Sequence, residues 1–535
     1  MTTRERPSAS SSILPYLLVL SLGWLVIYAT ILIMQAYAGH DQSWYLYGAD
    51  QMLTGVELYG PRLTETNPPL ILWFSIVPVL LGKVFSISGT IALRVVVLAM
   101  ILGSAAWCVR IFHRKAYEEP AAAGLLRGLA IAGVALAINF YDFGQREQLM
   151  LLLTLPYILA AATDGRRSLS TIEYSALGMC AGLGVCLKPQ QALVIVALEV
   201  FLLLYRRSLR RLIRPELVAL VATGVGYLLA IRLLAPLYLS RMVPELLNTY
   251  WAFGRFSAQH LALHQQRAFT LSLLAFLIAI LVLRRKLRSP MPPLVLTVCA
   301  IGASVAFDIQ HTGWVYQAFP EKAFFSLAVL FMVLDLGYPV VERWLHRPGL
   351  AVRLGIALFA LLVAVLGSVA LQRRSLHEGS PDHAALEPLL MHYPAQTPVY
   401  VFSSSLVSFS NVYEHSLRWG SRFGHLWMLP AIAQNEFGLD KSAENNSAPY
   451  RQLSPEVLAR LESVQRQDVT EDLSLWKPVL VLVETCQPSH PCGVIGGKDF
   501  DTIAWFLRSP AFAAEWSHYQ RQPGNEVFDV YTRTP

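Results

Sequence analysis

Pro68–Ser86 reads PPLILWFSIVPVLLGKVFS, and whether this apolar stretch crosses a membrane decides the side on which every later loop lies. The chain around it has 535 residues, 54% of them hydrophobic and only 15% charged, with a mean hydropathy of +0.45. Soluble chains carry about a quarter charged residues, so this composition indicates a polytopic α-helical membrane protein. Other apolar runs fall near 13–38, 89–110, 121–140, 148–163, 172–187, 190–205, 216–237, 268–283, 291–307, 323–341 and 352–371. If Pro68–Ser86 also spans, the cluster Arg110–Lys115 lies outside and each later basic loop is inverted. If it does not, Arg4/Arg6, Arg110–Lys115, Arg166/Arg167, Arg206–Arg214, Arg284–Arg288 and Arg343–Arg353 all fall on the N-terminal side. The positive-inside bias selects the second arrangement, and the Pro68-Pro69 start and Pro78 disfavour a straight helix. The expectation is about eleven transmembrane helices, with interfacial or re-entrant helices in the first outer loop. The net charge of +7 then belongs to inward loops and does not indicate a nucleic-acid partner.

Immediately before this stretch, Gly39–Leu70 reads GHDQSWYLYGADQMLTGVELYGPRLTETNPPL, and the same parity places it outside. The preceding run has an Ala36-Tyr37-Ala38 that mimics a cleavage site, but its apolar core exceeds that of a signal peptide, so it reads as a retained first span. Asp41 sits at the membrane boundary, where a partly desolvated carboxylate can accept a proton from an attacking hydroxyl; the plainer alternative is an acid favoured by a helix dipole. Trp44, Tyr45 and Tyr47 suit interfacial anchoring. Glu65, Asn67, Pro68 and Pro69 close the loop, and the whole lip is drawn as 39–87.

This lip resembles the first outer loop of the GT-C superfamily of membrane glycosyltransferases, which includes the protein O-mannosyltransferases and the lipid A aminoarabinose transferases. The carriers are Asp41, Tyr45, Ala49, Gly55, Tyr59, Pro68, Pro69, Leu70 and Trp73, with Leu93-Arg94 opening the next span. The likeness extends loosely to about residue 370. It implies transfer of a sugar from a polyprenyl-phosphate donor to an envelope lipid, polysaccharide or protein, at the outer face of the bacterial inner membrane. Gln42 stands where many relatives have a second acid, so adjacent carboxylates holding a metal are not implied; a divalent Mg or Mn is the one cofactor left open.

The resemblance also implies an acid in the second outer loop, YDFGQREQL (141–149). Asp142 and Glu147 both qualify, with a slight preference for Glu147. Charges bunched at a membrane boundary pair or bind something: Arg146 is either a phosphate contact or the partner of one of these acids. Lys188 snorkels or meets a donor phosphate. In DIQHTGWVYQAFPEK (308–322), His311, Trp314, Tyr316 and Lys322 are candidates for the donor's sugar-phosphate site, over which Arg255, His260 and His264 close. Glu199, within a span, calls for a partner. A transporter or flippase of lipid-linked sugars is the alternative, but its sites lie at the midplane of repeated halves and no repeat is visible here.

The chain divides into a membrane domain, 1–371, and an extramembrane α/β domain, 372–535. In the latter, 397–406, 477–486 and 525–534 read as strands, while 454–464 and 499–509 read as helices. Cys486 and Cys492 suit a small disulfide loop in an oxidising compartment, and Cys108, Cys180, Cys186 and Cys299 are small buried apolar groups.

Overall fold

The computed structural model describes residues 13–115, 121–163, 169–254, 256–345, 350–377, 382–437, 451–485, 495 and 500–534. Cys486, Cys492, Arg4, Arg6, Arg166, Arg167 and Arg255 lie outside them, and with them the proposed disulfide.

Each of the eleven apolar runs becomes a helix, from Ile13–Gln35 to Leu350–His377. Among the described residues, however, only six are long and apolar enough to cross a membrane, and a seventh if Ala258–Gln265 and Arg267–Leu283, bent by 75°, form one span. The figure of about eleven therefore does not follow from length and hydropathy. Several runs make short helices: Thr171–Leu187 has 17 residues, about 26 Å at 1.5 Å per residue against the ~30 Å of a hydrocarbon core. Arg146–Ala162 is buried on nearly every face, which makes it the axis of the bundle. Its neighbour Thr171–Leu187 packs on Pro215–Leu234 through Gly178 and Gly182, where a Cβ would strike the Glu216 carbonyl and Thr223; small residues allow this approach. The opposite face of Pro215–Leu234 exposes Val218, Val221, Val225, Leu228 and Leu229, as a lipid-facing surface does. Glu199 has its partner: Arg214 lies at 2.7 Å and the Tyr157 hydroxyl donates at 2.6 Å.

Pro68–Ser86 becomes the 16-residue helix Leu70–Phe85, about 24 Å long and shorter than a hydrocarbon core. It begins on Pro69, ends with Ser86 in the left-handed region (φ 54°), and lies against the lip helix His40–Leu53, where Leu72 fills the space beside Gly48. The Leu70 N–H donates to the Tyr227 hydroxyl at 3.2 Å.

The C-terminal region is built on a five-stranded sheet of order β2-β1-β3-β5-β4. The strands are β1 (Pro398–Phe402), β2 (Arg418–Trp419), β3 (Leu480–Glu484), β4 (Tyr519–Gln522) and β5 (Phe528–Arg533). β1 runs parallel to β2 and β3, whereas β5 is antiparallel to β3 and β4. The three expected strands are present; β2 and β4, short and largely exposed, carry too weak an apolar pattern to be read beforehand. The helix starting at Ser454, whose hydroxyl accepts from the Val457 N–H, runs to Trp476 rather than 464. Its buried stripe continues through Gln465, Asp468, Val469, Asp472 and Leu473, and the polar members disguise the period. The second expected helix shortens to Thr502–Phe506.

Thr64 of the lip forms an isolated parallel bridge with Phe423. Beside it, Arg422 is buried and reaches Asp468, Glu471 and Asp472 at 2.6, 2.8 and 2.8 Å. Higher up, the Ala38 N–H donates to Glu414 at 2.6 Å. The C-terminal region is thus fastened just before the lip, at Ala38, and within it, at Thr64.

Candidate active site

The lip helix starts at Gly39, where any Cβ would collide with the Tyr141 carbonyl oxygen. This brings its first turn directly onto the second outer loop. That loop turns through the short helix Phe140–Asp142, passes Gly144 at φ 94°, and starts the next helix at Arg146. The contact sets Gln145 against Asp41: its Nε2 donates to Asp41 Oδ2 at 2.8 Å. His40 lies 3.6 Å from the other carboxylate oxygen and shares a 3.1 Å hydrogen bond with the Tyr141 hydroxyl.

Asp41 opens into a cavity of about 580 Å³. Around its base stand Asp41, Asn139, Asp142 and Arg146; the lip contributes Trp44 and Thr64–Asn67; the late loops contribute Tyr250, Phe253, Trp314 and Tyr316. The remaining wall comes from the C-terminal domain, through Ser404–Val407, Gly424, His425 and Trp427.

The expected residues divide into those that reach this space and those that do not. Asp41, Asp142, Arg146, Trp314, Tyr316, Glu65 and Asn67 line it. Glu147 and Lys188 do not; both are buried and form an ion pair with each other. Of the two acids in this loop, Asp142 lines the cavity and Glu147 pairs with Lys188 behind it. The physical reason is desolvation: a lone buried charge is costly, and two of opposite sign at one depth pair. His311 also stays outside, with φ 60° and its Nδ1 3.0 Å from the Phe256 carbonyl oxygen, where it ties two loops together. Asp142 accepts from Asn139 Nδ2 at 3.1 Å.

Tyr45 is buried beneath the cavity with the Arg146 guanidinium 5.9 Å from its ring centroid, and its hydroxyl accepts from Asn67 Nδ2 at 3.3 Å. Asn67 also donates twice to Glu65 Oε1, each at 2.7 Å, and its carbonyl accepts from the Tyr59 hydroxyl at 2.6 Å. Pro68 and Pro69 then lead into the Leu70 helix. The lip residues singled out by sequence form one hydrogen-bonded cradle under Glu65.

Electrostatics separates the titratable groups. Burial works to raise the Asp41 carboxyl, but His40, Arg146, the Gln145 donor and His425 outweigh it and hold the group below the usual carboxylate range. Glu65 moves the other way: burial lifts it, only partly opposed by the Asn67 hydrogen bonds and Arg146. His425, set among protein groups, is pushed down by burial to about 4, so its imidazole is neutral near pH 7.

Sequence reasoning missed His40, Gln145, Tyr250, Phe253 and the whole C-terminal wall. The His-Asp pair at 40–41 was legible; the others depend on contacts between distant segments. Among the described residues no three or more His, Cys, Asp or Glu side chains come together as a metal-binding group, and Gln42 turns its amide to the Phe143 carbonyl at 3.2 Å.

No protein-family model and no curated protein matches the chain. Among solved structures, it aligns over 98% of its length, and 99% of the other chain, with ArnT from Cupriavidus metallidurans bound to undecaprenyl phosphate, at a TM-score of 0.53 and 14% identity. A looser likeness, TM-score 0.45 and 13% identity over 96% of this chain and 74% of the other, is to the oligosaccharyltransferase of Archaeoglobus fulgidus in its apo form. The likeness to ArnT is one of fold, shared over nearly the whole of both chains, and the apolar helices make this chain a multi-pass membrane protein.

Proposed function

We propose that the protein is an inverting glycosyltransferase that moves a sugar from a polyprenyl-phosphate donor to an envelope lipid, polysaccharide or protein, at the outer face of the bacterial inner membrane. The observation that carries this reading is that Asp41 and Arg146 line one cavity. The acceptor oxygen attacks the anomeric carbon as the bond from that carbon to the phosphate oxygen breaks, and the acceptor proton passes to Asp41. The polyprenyl phosphate leaves as an anion, so no acid catalyst is needed, and Arg146 offsets its charge. Arg146 has a buried Nε with no hydrogen-bond partner among the described residues, a donor available for this task. A single displacement inverts the anomeric centre.

A lipid-linked donor also suits the cavity rim. Val315 lines the cavity yet is 64% exposed, an apolar side chain at the mouth where a polyprenyl tail would leave toward the bilayer. The solved ArnT carries undecaprenyl phosphate, a ligand of this class. The distribution of the basic clusters supports an orientation with the N-terminus in the cytoplasm and the cavity in the periplasm.

The test is sugar transfer in proteoliposomes with polyprenyl-phosphate sugars. Asp41→Asn should abolish transfer while the protein remains folded in the membrane; wild-type activity in that variant sinks the mechanism. Lipid and glycan analysis of a deletion strain would identify the sugar and acceptor together.

A further inference from the structure

Folded interiors leave few buried polar atoms without a partner, and those that remain call for an explanation. Four such atoms belong to residues lining this one cavity: Thr64 Oγ1, Glu65 Oε2, Arg146 Nε and Trp427 Nε1. Arg146 is accounted for by the leaving phosphate. The other three come from two distant parts of the chain, the lip and the C-terminal domain, which meet at the Thr64–Phe423 bridge. Residues 424–427 follow that bridge directly. They are held there by the Leu426 N–H, which donates to the Ser403 carbonyl at 2.8 Å, and by the close approach at Gly424, where a Cβ would sit 3.1 Å from the Trp44 ring.

The chemistry of this wall is that of sugar recognition rather than phosphate recognition. The C-terminal domain brings an indole N–H, a neutral imidazole and the Ser404 and Ser405 hydroxyls to the cavity. Among the described residues, no Lys or Arg of that domain lines it. Facing these groups, Glu65 has one carboxylate oxygen anchored by Asn67 and the other unpartnered, an acceptor for hydroxyl donors. Trp44, Trp314, Tyr250 and Phe253 supply flat apolar faces of the kind that pack against the C–H face of a sugar ring.

We infer that the C-terminal domain is the saccharide-reading half of the site. A sugar ring lodges between the lip and residues 404–427, its hydroxyls donating to Glu65 Oε2 and accepting from Trp427 Nε1. This assignment rests on the transferase reading. The ring is either the donor's sugar or a sugar of the acceptor, two sources of one chemistry.

The experiment uses the full-length protein in proteoliposomes, with Trp427→Phe, which keeps the aromatic volume and removes the N–H, and the near-isosteric Glu65→Gln. Binding is measured for polyprenyl phosphate alone and for polyprenyl-phosphate glucose, mannose and arabinose. Transfer is measured to a lipid and polysaccharide extract from a strain lacking the protein. If the wall reads the donor, wild type binds one sugar-bearing lipid more tightly than the bare lipid. Both variants then lose about tenfold of that preference, as loss of one buried hydrogen bond predicts, with binding of bare polyprenyl phosphate unchanged. If it reads the acceptor, donor binding is unchanged and the KM for the extract rises by a similar factor. Both variants matching wild type in every measurement overturns the inference. A wild type that binds neither bare nor sugar-bearing polyprenyl phosphate fails the transferase reading instead.

Discussion

The backbone N–H of Thr64 donates to the carbonyl oxygen of Arg422 at 2.8 Å, so the residue before Glu65 is held by the C-terminal domain and not by the lip alone. The Arg422 side chain secures this junction through three carboxylates. Arg422→Ala would leave Asp472 buried without its cation, a loss of about 3–5 kcal/mol for a broken buried pair. The expected outcome is a lower Tm in detergent together with reduced transfer, because the cavity loses both Glu65 and the 424–427 wall. A variant with wild-type Tm and transfer would contradict this coupling.

Gln145 tests the base more gently than replacing Asp41. Its Nε2 is one of the groups that hold the Asp41 carboxyl low against burial. In Gln145→Leu the burial contribution is less opposed, so the Asp41 pKa rises. Since the base must be ionised to accept a proton, the acidic limb of the kcat/KM profile should move to higher pH. The rate on the neutral plateau should fall by no more than about tenfold, the scale of one hydrogen bond to a charged group. An unmoved acidic limb would argue that Asp41 is not the titrating base.

Much of the lip was legible because its signals are local. Asp41, Tyr45 and the Glu65–Pro69 cluster sit within one loop. The partners that complete the site were not legible, for two physical reasons. A charged residue at a membrane boundary must pair with something, but sequence does not say with what; Lys188 took Glu147, leaving Asp142 and Arg146 for the cavity. His425 and Trp427 lie in GHLWMLP, an apolar segment of the tail with no sequence link to the lip, and they follow the Thr64–Phe423 bridge to the cavity. The buried Asp468 and Asp472 concealed the length of their helix for the same reason, since their apolar-face position makes sense only with Arg422 opposite.

His425 adds a pH dependence to stability. Its ordinary value is 6.5 and burial lowers it to about 4, so between these limits the unfolded chain binds the proton and the folded protein does not. Stability present above pH 6.5 is therefore lost as the pH falls toward 4, by at most about 3 kcal/mol, since the ring retains some exposure in the cavity. In His425→Gln the dependence of Tm on pH should flatten across this window relative to wild type. Parallel curves for the two proteins would refute the assignment.

The Lys188–Glu147 pair distinguishes a structural charge from a substrate contact. Both side chains are buried, and Glu147 has a second oxygen, Oε2, with no hydrogen-bond partner among the described residues. Removing the cation alone, in Lys188→Met, leaves an uncompensated buried carboxylate and should cost about 3–5 kcal/mol. Removing both, in Lys188→Met with Glu147→Leu, replaces the pair by apolar groups of similar size and should restore most of that loss, because the desolvation of two ions disappears with their attraction. The readout is Tm alongside the kcat/KM for a polyprenyl-phosphate sugar. A double variant that regains its Tm and keeps a near-normal kcat/KM places Lys188 in the scaffold behind Arg146. A kcat/KM for the donor lowered by about a hundredfold or more in the refolded double variant would instead assign Lys188 to the phosphate, on the scale of losing one charged transition-state contact.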